Sequence, residues 1–579
     1  MNQNRVYFDK LGHVGRLMNR WDWLLLFLLV AILFFLGWTS QQMAKPYSVG
    51  EPLFISLAPG NLPGYALRTI LRLFVALFLS IVFSLIVGTI AAKNRRAEQI
   101  IIPAIDILQS VPVLSFLAIT VVGFIRLFPG SLLGPECASI FAVFVSQVWN
   151  ITFSFYQSLK TVPNDLKEMA AVFQLSSWQY FWKVEVPCAM SGLLWNMMIS
   201  MSASWFFVVL SEAIVVGHQD IRLPGIGSYI ALAIEQHNIQ SLFYAIVTML
   251  IVIFLYDQIL FRPLIAWSER FKMSQSADEE EYQSWLIDLI RLSPLMSRLE
   301  FGVYEVKDRF INGRWLRWNR SHPVVQAKPK KTHHWGRAGS IIIFLALGIG
   351  GYYLSCYIYT ALDISEIGHV LLLGAITGAR VILLIVLSSL IWIPVGVWIG
   401  QRPRVAQKLQ PTIQFVAAFP ANLFYPLFVI AIMRFHLNSE IWLTPLMILG
   451  TQWYILFNVI AGASLLPQDL CLVADNFGVT GWQWWRRLAL PGIFPFYITG
   501  AITAAGGAWN ASIVAEAVSW GNTHLNATGL GAYIQANAML GNFPKIALGT
   551  SVMCLYVLVF NHLIWRPLYR LAQDRYNFN

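Results

Sequence analysis

Two stretches of this chain decide its architecture: PNDLKEMAAVFQLSSWQYFWKVEVP at Pro163–Pro187, and PQDLCLVADNFGVTGWQWWRRLALP at Pro467–Pro491. Both open and close on proline. Both carry an aspartate two residues in (Asp165, Asp469) and the same Trp-Gln pair (Trp178-Gln179, Trp482-Gln483), all at an offset of 304 residues. The offset extends outward: Trp205 meets Trp509, Glu212 meets Glu516, Gly225, Gly227 and Tyr229 meet Gly529, Gly531 and Tyr533, and Arg262-Pro263-Leu264 meets Arg566-Pro567-Leu568. Nearer the start of each half the offset is 308, pairing Arg72 with Arg380, Ser80 with Ser388, Gly88 with Gly396, Pro103 with Pro411, Pro112 with Pro420 and Arg126 with Arg434. A repeat this long marks a duplicated architecture rather than two unrelated domains.

The surroundings of the two stretches are apolar. Of 579 residues, 57% are hydrophobic and only 12% charged, against roughly 25% charged in soluble chains. A bilayer core needs about 20 apolar residues per helix. Candidate spans fall near 22–43, 66–92, 104–128, 137–158, 190–217 and 239–265, and again near 338–359, 369–400, 411–435, 441–461, 494–519 and 543–568. The expected fold is therefore an all-α integral membrane protein of two parallel six-helix repeats, twelve transmembrane helices in all. The first repeat is residues 1–265, a linker runs over 266–337, and the second repeat is 338–579. An even number of spans per repeat gives both halves the same orientation and a pseudo-two-fold axis along the membrane normal.

The net charge of +11 is read as topology and not as a nucleic-acid footprint, because the basic residues lie between apolar runs. With the N-terminus inside, Lys93, Arg95, Arg96, Lys160, Lys167, Lys183, Arg402, Arg404, Lys408, Arg486, Arg487, Arg566, Arg570 and Arg575 all fall on the inner side. The outer loops hold little more than Lys45, Arg222 and Lys545. Both termini and the linker are expected to be cytoplasmic. The N-terminal run from Trp23 to Trp38 ends in bulky residues and reads as an uncleaved first span. The linker carries Asp278–Glu281, a basic stretch Lys328–Lys331, and helical apolar spacing over Trp285–Leu299, which suits an interfacial helix.

Within each decisive stretch the pattern predicts two short helices. Asp165 is placed as N-cap with Glu168 three residues on, a capping-box spacing. A break follows, and a second helix opens near Ser177 or Thr480, with Trp178, Phe181 and Trp182 forming an aromatic face. Such a pair suits docking into a groove of a soluble partner; an interfacial loop anchored by tryptophan would use the same residues.

These stretches resemble the E-A-A loop of binding-protein-dependent ABC importer permeases: Glu-x-Ala-Ala, two residues, Gly, then an aliphatic-Leu-Pro ending thirteen residues after the Gly. Glu168, Ala170, Ala171 and Pro187 match in the first half; Ala474, Gly478, Leu490 and Pro491 match in the second. The resemblance covers about 60–262 and 368–566 and is closest to the duplicated, fused form of the nitrate, sulfonate, taurine and bicarbonate type. It implies the type I importer permease fold, and coupling segments formed by Asp165, Glu168, Ala170, Ala171, Gln174, Trp178, Pro187, Asp469, Ala474, Gly478, Trp482 and Pro491. It also implies two cytoplasmic ABC ATPase subunits, an extracytoplasmic substrate-binding protein, alternating access, and a place in the bacterial inner membrane. Gln174 stands where the family has Gly, so the first half is expected to turn differently, leaving unequal ATPase contacts. Leu472 and Asp475 depart from the pattern in the second half.

Four charges fall within spans: Arg72 and Arg380 early in the second of each half, Glu212 and Glu516 late in the fifth. Intramembrane charges face protein or water, so these are either ion pairs locking spans two and five or positive potential along an anion pathway. Arg126 and Arg434 sit where they can snorkel to the interface. Pro112 and Pro420 are expected inside the third span, each freeing a backbone carbonyl. No G-x-x-x-x-G-K-[ST] is present, so ATP is expected on a separate ATPase, with no cofactor, metal site or catalytic cluster in this chain. Five scattered cysteines without C-x-x-C spacing argue against a disulfide framework or zinc. Two other classes compete. A twelve-span secondary carrier would need coupling carboxylates, for which Asp106, Glu212 and Glu516 are available. A membrane enzyme would need a catalytic constellation.

Overall fold

The computed structural model describes residues 53–216, 219–268, 285–292, 305–312 and 335–576, with isolated positions elsewhere. The expected first span near 22–43 and the charged runs Asp278–Glu281 and Lys328–Lys331 fall mostly or wholly outside the described residues. Among the described residues seven helices are long and apolar enough to cross a membrane, and nine spans result if each of two bent helix pairs counts as one.

In the first half these are Pro59–Lys93, Leu133–Lys160, Gly192–Glu212 and Ile239–Ser268; in the second, Ile364–Gly400, Gly481–Ala515 and Phe543–Ala572. Their lengths follow from composition, since each carries an 18-residue stretch that is apolar on average, with mean hydropathy from 1.4 to 2.7. The 37-residue helix Ile364–Gly400 reaches roughly 55 Å at 1.5 Å per residue. Its Gly374 and Gly378 let it approach closely: a Cβ at Gly374 would lie 2.4 Å from the Tyr556 ring and one at Gly378 2.8 Å from Phe560. Small residues four apart serve this purpose in helix packing within membranes.

The third span differs from expectation. Pro112 and Pro420 do not kink a continuous helix; they stand at its interruption. The first-half helix Arg95–Ser110 ends before Pro112, and Val113–Leu127 begins after it. In the second half, Pro411–Ala418 and Ala421–Arg434 meet at 66°. A proline has no N–H to donate and disfavours helical conformation in the residue before it, so the helix stops and restarts. The Val113 N–H, freed at this restart, donates to Asn510 Oδ1 at 2.7 Å, and Thr550 Oγ1 donates to the Ser115 carbonyl at 3.1 Å. Both contacts join the two repeats.

The fourth span is one helix in the first half but bends by 46° in the second, between Ser439–Leu449 and Trp453–Ser464. Pro445 and Gly450 stand there in place of Phe141 and Ser146, and both are poor interior helix residues. The fifth spans end earlier than expected, at Glu212 and Ala515. Beyond them the chain forms antiparallel hairpins, β1 (Ala213–Val216) with β2 (Gln219–Arg222) and β3 (Ala517–Trp520) with β4 (Thr523–Asn526). The helical class stands, with these two small exceptions.

By contacts the larger compact unit comprises Met43–Phe153, Ile199–Phe254 and His333–Asn579. The smaller is built, among described residues, around Ser154–Met198 and Leu255–Thr332. In the larger, Leu490–Ala515 packs on Trp453–Ser464, which packs on Ile364–Gly400. In the smaller, Val162, Ala170, Tyr180 and Val184 form a buried cluster joined by Leu166, Leu175 and Cys188.

Candidate functional site

Each segment between spans four and five is a pair of short helices: Asn164–Val172 with Ser177–Tyr180, and Gln468–Asn476 with Gly481–Trp484. The first helix of each pair is started by proline, not by aspartate. Pro163 and Pro467 occupy the N-cap position with no side-chain cap, and Asp165 and Asp469 lie in the first turn, where their charge favours the helix dipole. The expected capping box at Asp165 and Glu168 is therefore not formed. One forms instead on the second helix, where the Ser176 hydroxyl accepts from the Gln179 N–H at 3.2 Å and Gln179 Oε1 accepts from the Ser176 N–H at 3.1 Å.

The turn between the helices is the same in both halves, contrary to expectation. Gln174 adopts φ +50° and Gly478 φ +63°. In the first half Leu175 N–H donates to the Ala170 carbonyl at 3.0 Å and Gln174 N–H to Ala171 at 3.1 Å. In the second, Val479 donates to Ala474 at 2.8 Å and Gly478 to Asp475 at 3.1 Å. This paired bonding satisfies the last carbonyls of the first helix. It also brings Leu175 back onto Ala170 in the buried cluster, and that contact holds Gln174 left-handed despite a cost of roughly 1–2 kcal/mol for a residue with a Cβ.

Ala170 and Ala474 are buried, at 0% and 8% exposure, and fix the helix against its support. Asp165, Glu168 and Gln174 are exposed, as are Asp469 and Gly478; Ala171, Trp178, Pro187 and Pro491 are half-buried. The outward faces are apolar: Met169, Val172 and Phe173 in the first half, Leu472, Val473, Phe477 and Trp482 in the second. Phe173 and Phe477 are repeat equivalents and are 68% and 81% exposed. Such surface on short rigid helices is the material of a protein interface. Burial pushes the Tyr180 hydroxyl up to about 12, with Glu185 adding to the shift. Burial also raises the Cys471 thiol, aided by Asp475.

The four charges expected within spans assemble, with Glu136 and Glu440, into two matched clusters. Arg72 Nε and Nη2 grip Glu136 at 2.6 and 2.7 Å, Nη1 meets Glu212 Oε1 at 2.6 Å, and Nη2 also donates to the Pro224 carbonyl at 3.0 Å. Thr69 Oγ1 donates to Glu212 Oε1 at 2.6 Å, and the Gly227 N–H to Oε2 at 2.6 Å. Glu212 thus caps the helix Ile226–Glu235. In the second half Arg380 pairs with Glu440 through Nη2 and with Glu516 through Nη1 at 3.4 Å. Thr377 Oγ1 and the Gly531 N–H donate to Glu516, each at 2.8 Å. Gly225 and Gly529 leave room for these carboxylates: a Cβ would come within 2.3 Å of the Glu212 carboxyl group or 2.2 Å of that of Glu516. Arg126 and Arg434 are exposed near the ends of their helices.

Sequence reasoning missed Glu136 and Glu440, Thr69 and Thr377. The signal was available, since Glu136 and Glu440 are related by the 304 offset and Thr69 and Thr377 by the 308 offset.

The chain matches the model of the family described as "Binding-protein-dependent transport system inner membrane component" twice, over residues 80–262 and 392–571, together more than half its length. It belongs to that family. It is 25% identical over 185 residues to the bicarbonate transport system permease protein CmpB of Synechococcus elongatus, covering 32% of this chain and 60% of that protein. It is 24% identical over 187 residues to the nitrate import permease protein NrtB of a Synechocystis species, covering 32% of this chain and 63% of that protein. The chain thus spans under two thirds of the length of these relatives. Each family match contains one helix-pair segment and the carboxylates of one cluster, Glu136 and Glu212 or Glu440 and Glu516, while Thr69, Arg72, Thr377 and Arg380 lie just before the matched residues.

Proposed function

We propose that this chain is the membrane-spanning permease subunit of an ATP-driven importer, in which the repeats 1–265 and 338–579 enclose a pathway for a small anion. The observation that carries this reading is the pair of structurally matched segments, each presenting an exposed phenylalanine, Phe173 or Phe477, on a short helix locked by the same left-handed turn. A secondary carrier has no use for such a duplicated docking element. Each segment receives one ABC ATPase subunit on the cytoplasmic side, and the two ATPases hydrolyse ATP in place of any site in this chain. A substrate-binding protein delivers the solute on the opposite side of the bacterial inner membrane, with both termini of this chain cytoplasmic. The names of the relatives, bicarbonate and nitrate permeases, support an anion of that size.

The clusters around Arg72 and Arg380 act as locks between spans two, four and five and do not contact the transported anion. One guanidinium shared by two carboxylates offers no spare positive charge. In the first cluster Nε, Nη1 and both Nη2 donors of Arg72 are engaged.

Affinity capture of the tagged chain from native membranes in mild detergent tests the reading. Recovery of a P-loop ATPase at two copies per chain is expected. Recovery of the chain alone, with uptake driven by an ion gradient in vesicles, would replace the importer by a carrier.

A further inference from the structure

The two coupling segments are built alike but are not equally covered. On the first, Trp178 and Gln179 are half-buried; on the second, their equivalents Trp482 and Gln483 are exposed, Trp482 at 72%. The difference comes from the linker. Residues 305–312 are helical, and this short helix lies on the second helix of the first segment. The Phe310 ring stands edge-on to Trp178 at 5.3 Å and to Trp182 at 6.0 Å. The Phe310 carbonyl accepts from Trp178 Nε1 at 3.3 Å. Asn312 Oδ1 accepts from both Gln179 Nε2, at 3.0 Å, and Lys183 Nζ, at 3.1 Å, while its own amide nitrogen donates to Asp308. Ile311 is buried. The contact leaves Met169, Val172 and Phe173, on the first helix of the same segment, exposed.

We propose that residues 305–312 are a built-in ligand of the first coupling segment, occupying the face that the second segment leaves open to its ATPase. The proposal rests on the functional reading above. A ligand tethered in the same chain acts at high effective concentration, so a partner reaching for Trp178 and Gln179 would have to displace it, whereas one reaching for Trp482 and Gln483 meets no competitor among the described linker residues. The two ATPase contacts are then unequal, but through the linker and not through the Gln174 turn. On the first half the ATPase engages the helix bearing Phe173; on the second it engages both helices.

Hydrogen exchange on the full chain in lipid nanodiscs tests this, with segment 481–487 as internal reference. In the chain alone, amides 177–183 exchange more slowly than 481–487. The variant Phe310→Ala/Asn312→Ala, which changes two exposed side chains, speeds exchange at 177–183 tenfold or more and leaves 481–487 unchanged. Adding the ATPase slows 164–174, 468–478 and 481–487 without altering 177–183 or 305–312. Unchanged exchange at 177–183 in the double variant overturns the proposal. So does ATPase-induced slowing at 177–183 with faster exchange at 305–312, which would mean that the linker is displaced. Failure of the ATPase to slow either 164–174 or 468–478 is a different pattern and overturns the functional reading along with the proposal.

Discussion

Arg72 Nη1 and Glu212 Oε1 stand 2.6 Å apart with both side chains fully buried, 140 residues apart in the chain. The pair joins the second and fifth spans, and Glu136 on the fourth closes the triangle. Breaking a buried ion pair by removing one partner costs about 3–5 kcal/mol, because the other charge is left without compensation. Arg72→Gln leaves two such carboxylates. It is expected to lower the thermal unfolding midpoint strongly in detergent, or to abolish folded protein. Arg380→Gln is expected to cost less, since Arg380 retains 14% exposure and Glu440 41%. Equal midpoints for both variants and wild type would remove the lock.

Gly225 tests the same cluster from its other side. Its φ of −177° is ordinary extended backbone, so conformation does not require glycine there; space does. Gly225→Ala places a Cβ within 2.3 Å of the Glu212 carboxyl group and is expected to destabilise the chain by several kcal/mol, as overpacking against a fixed group does. Gly506→Ala, with nothing within 4 Å of the added carbon, is expected to be neutral. Unfolding by added denaturing detergent distinguishes the two.

The left-handed turns give opposite predictions in the two halves. Gln174→Gly is expected to relieve roughly 1 kcal/mol of backbone strain, and Gly478→Val to add about 1–2 kcal/mol. Exchange rates of the Leu175 and Val479 amides, which close the turns, report each effect locally. A Gln174→Gly variant with faster exchange at Leu175 would show that Gln174 makes a contact that outweighs its strain.

Cys471 provides a reporter on the second segment. With Cys137, Cys188, Cys356 and Cys554 replaced by serine, the remaining thiol has its pKa raised by burial, so less of it is thiolate at a given pH. Since the thiolate is the reactive form, maleimide labelling near pH 7 is expected to run slower than that of a free thiol and to climb as pH rises past the usual thiol range. Labelling as fast as an unperturbed thiol at pH 7 would contradict this environment.

Much of this architecture is legible in the sequence because membrane spans and repeats write themselves in composition. The candidate ranges 66–92 and 369–400 lie within the helices Leu62–Lys93 and Ile364–Gly400. What escaped was decided by tertiary context. Hairpins of four-residue strands, such as Ala213–Val216, carry too little pattern to separate from the end of an apolar span. The left-handed Gln174 depends on Leu175 being drawn into a buried cluster, which propensity alone does not reveal. Glu136 reads as a polar residue at a helix start until Arg72 is brought to it. The docking of Phe310 and Asn312 on Trp178 and Gln179 joins positions 132 and 133 residues apart, and the repeat gives no hint of it because the linker lies outside the paired positions of the two halves.

On the proposed function, the ATPases bind at the two helix pairs. Native mass spectrometry of the chain assembled with its ATPase, using Phe173→Asp, Phe477→Asp and the double variant, tests it most directly. Both side chains are exposed, so the variants should keep the wild-type melting behaviour. Wild type is predicted to carry two ATPase subunits, each single variant one, and the double variant none. A double variant that melts normally and still carries two ATPases would contradict the account.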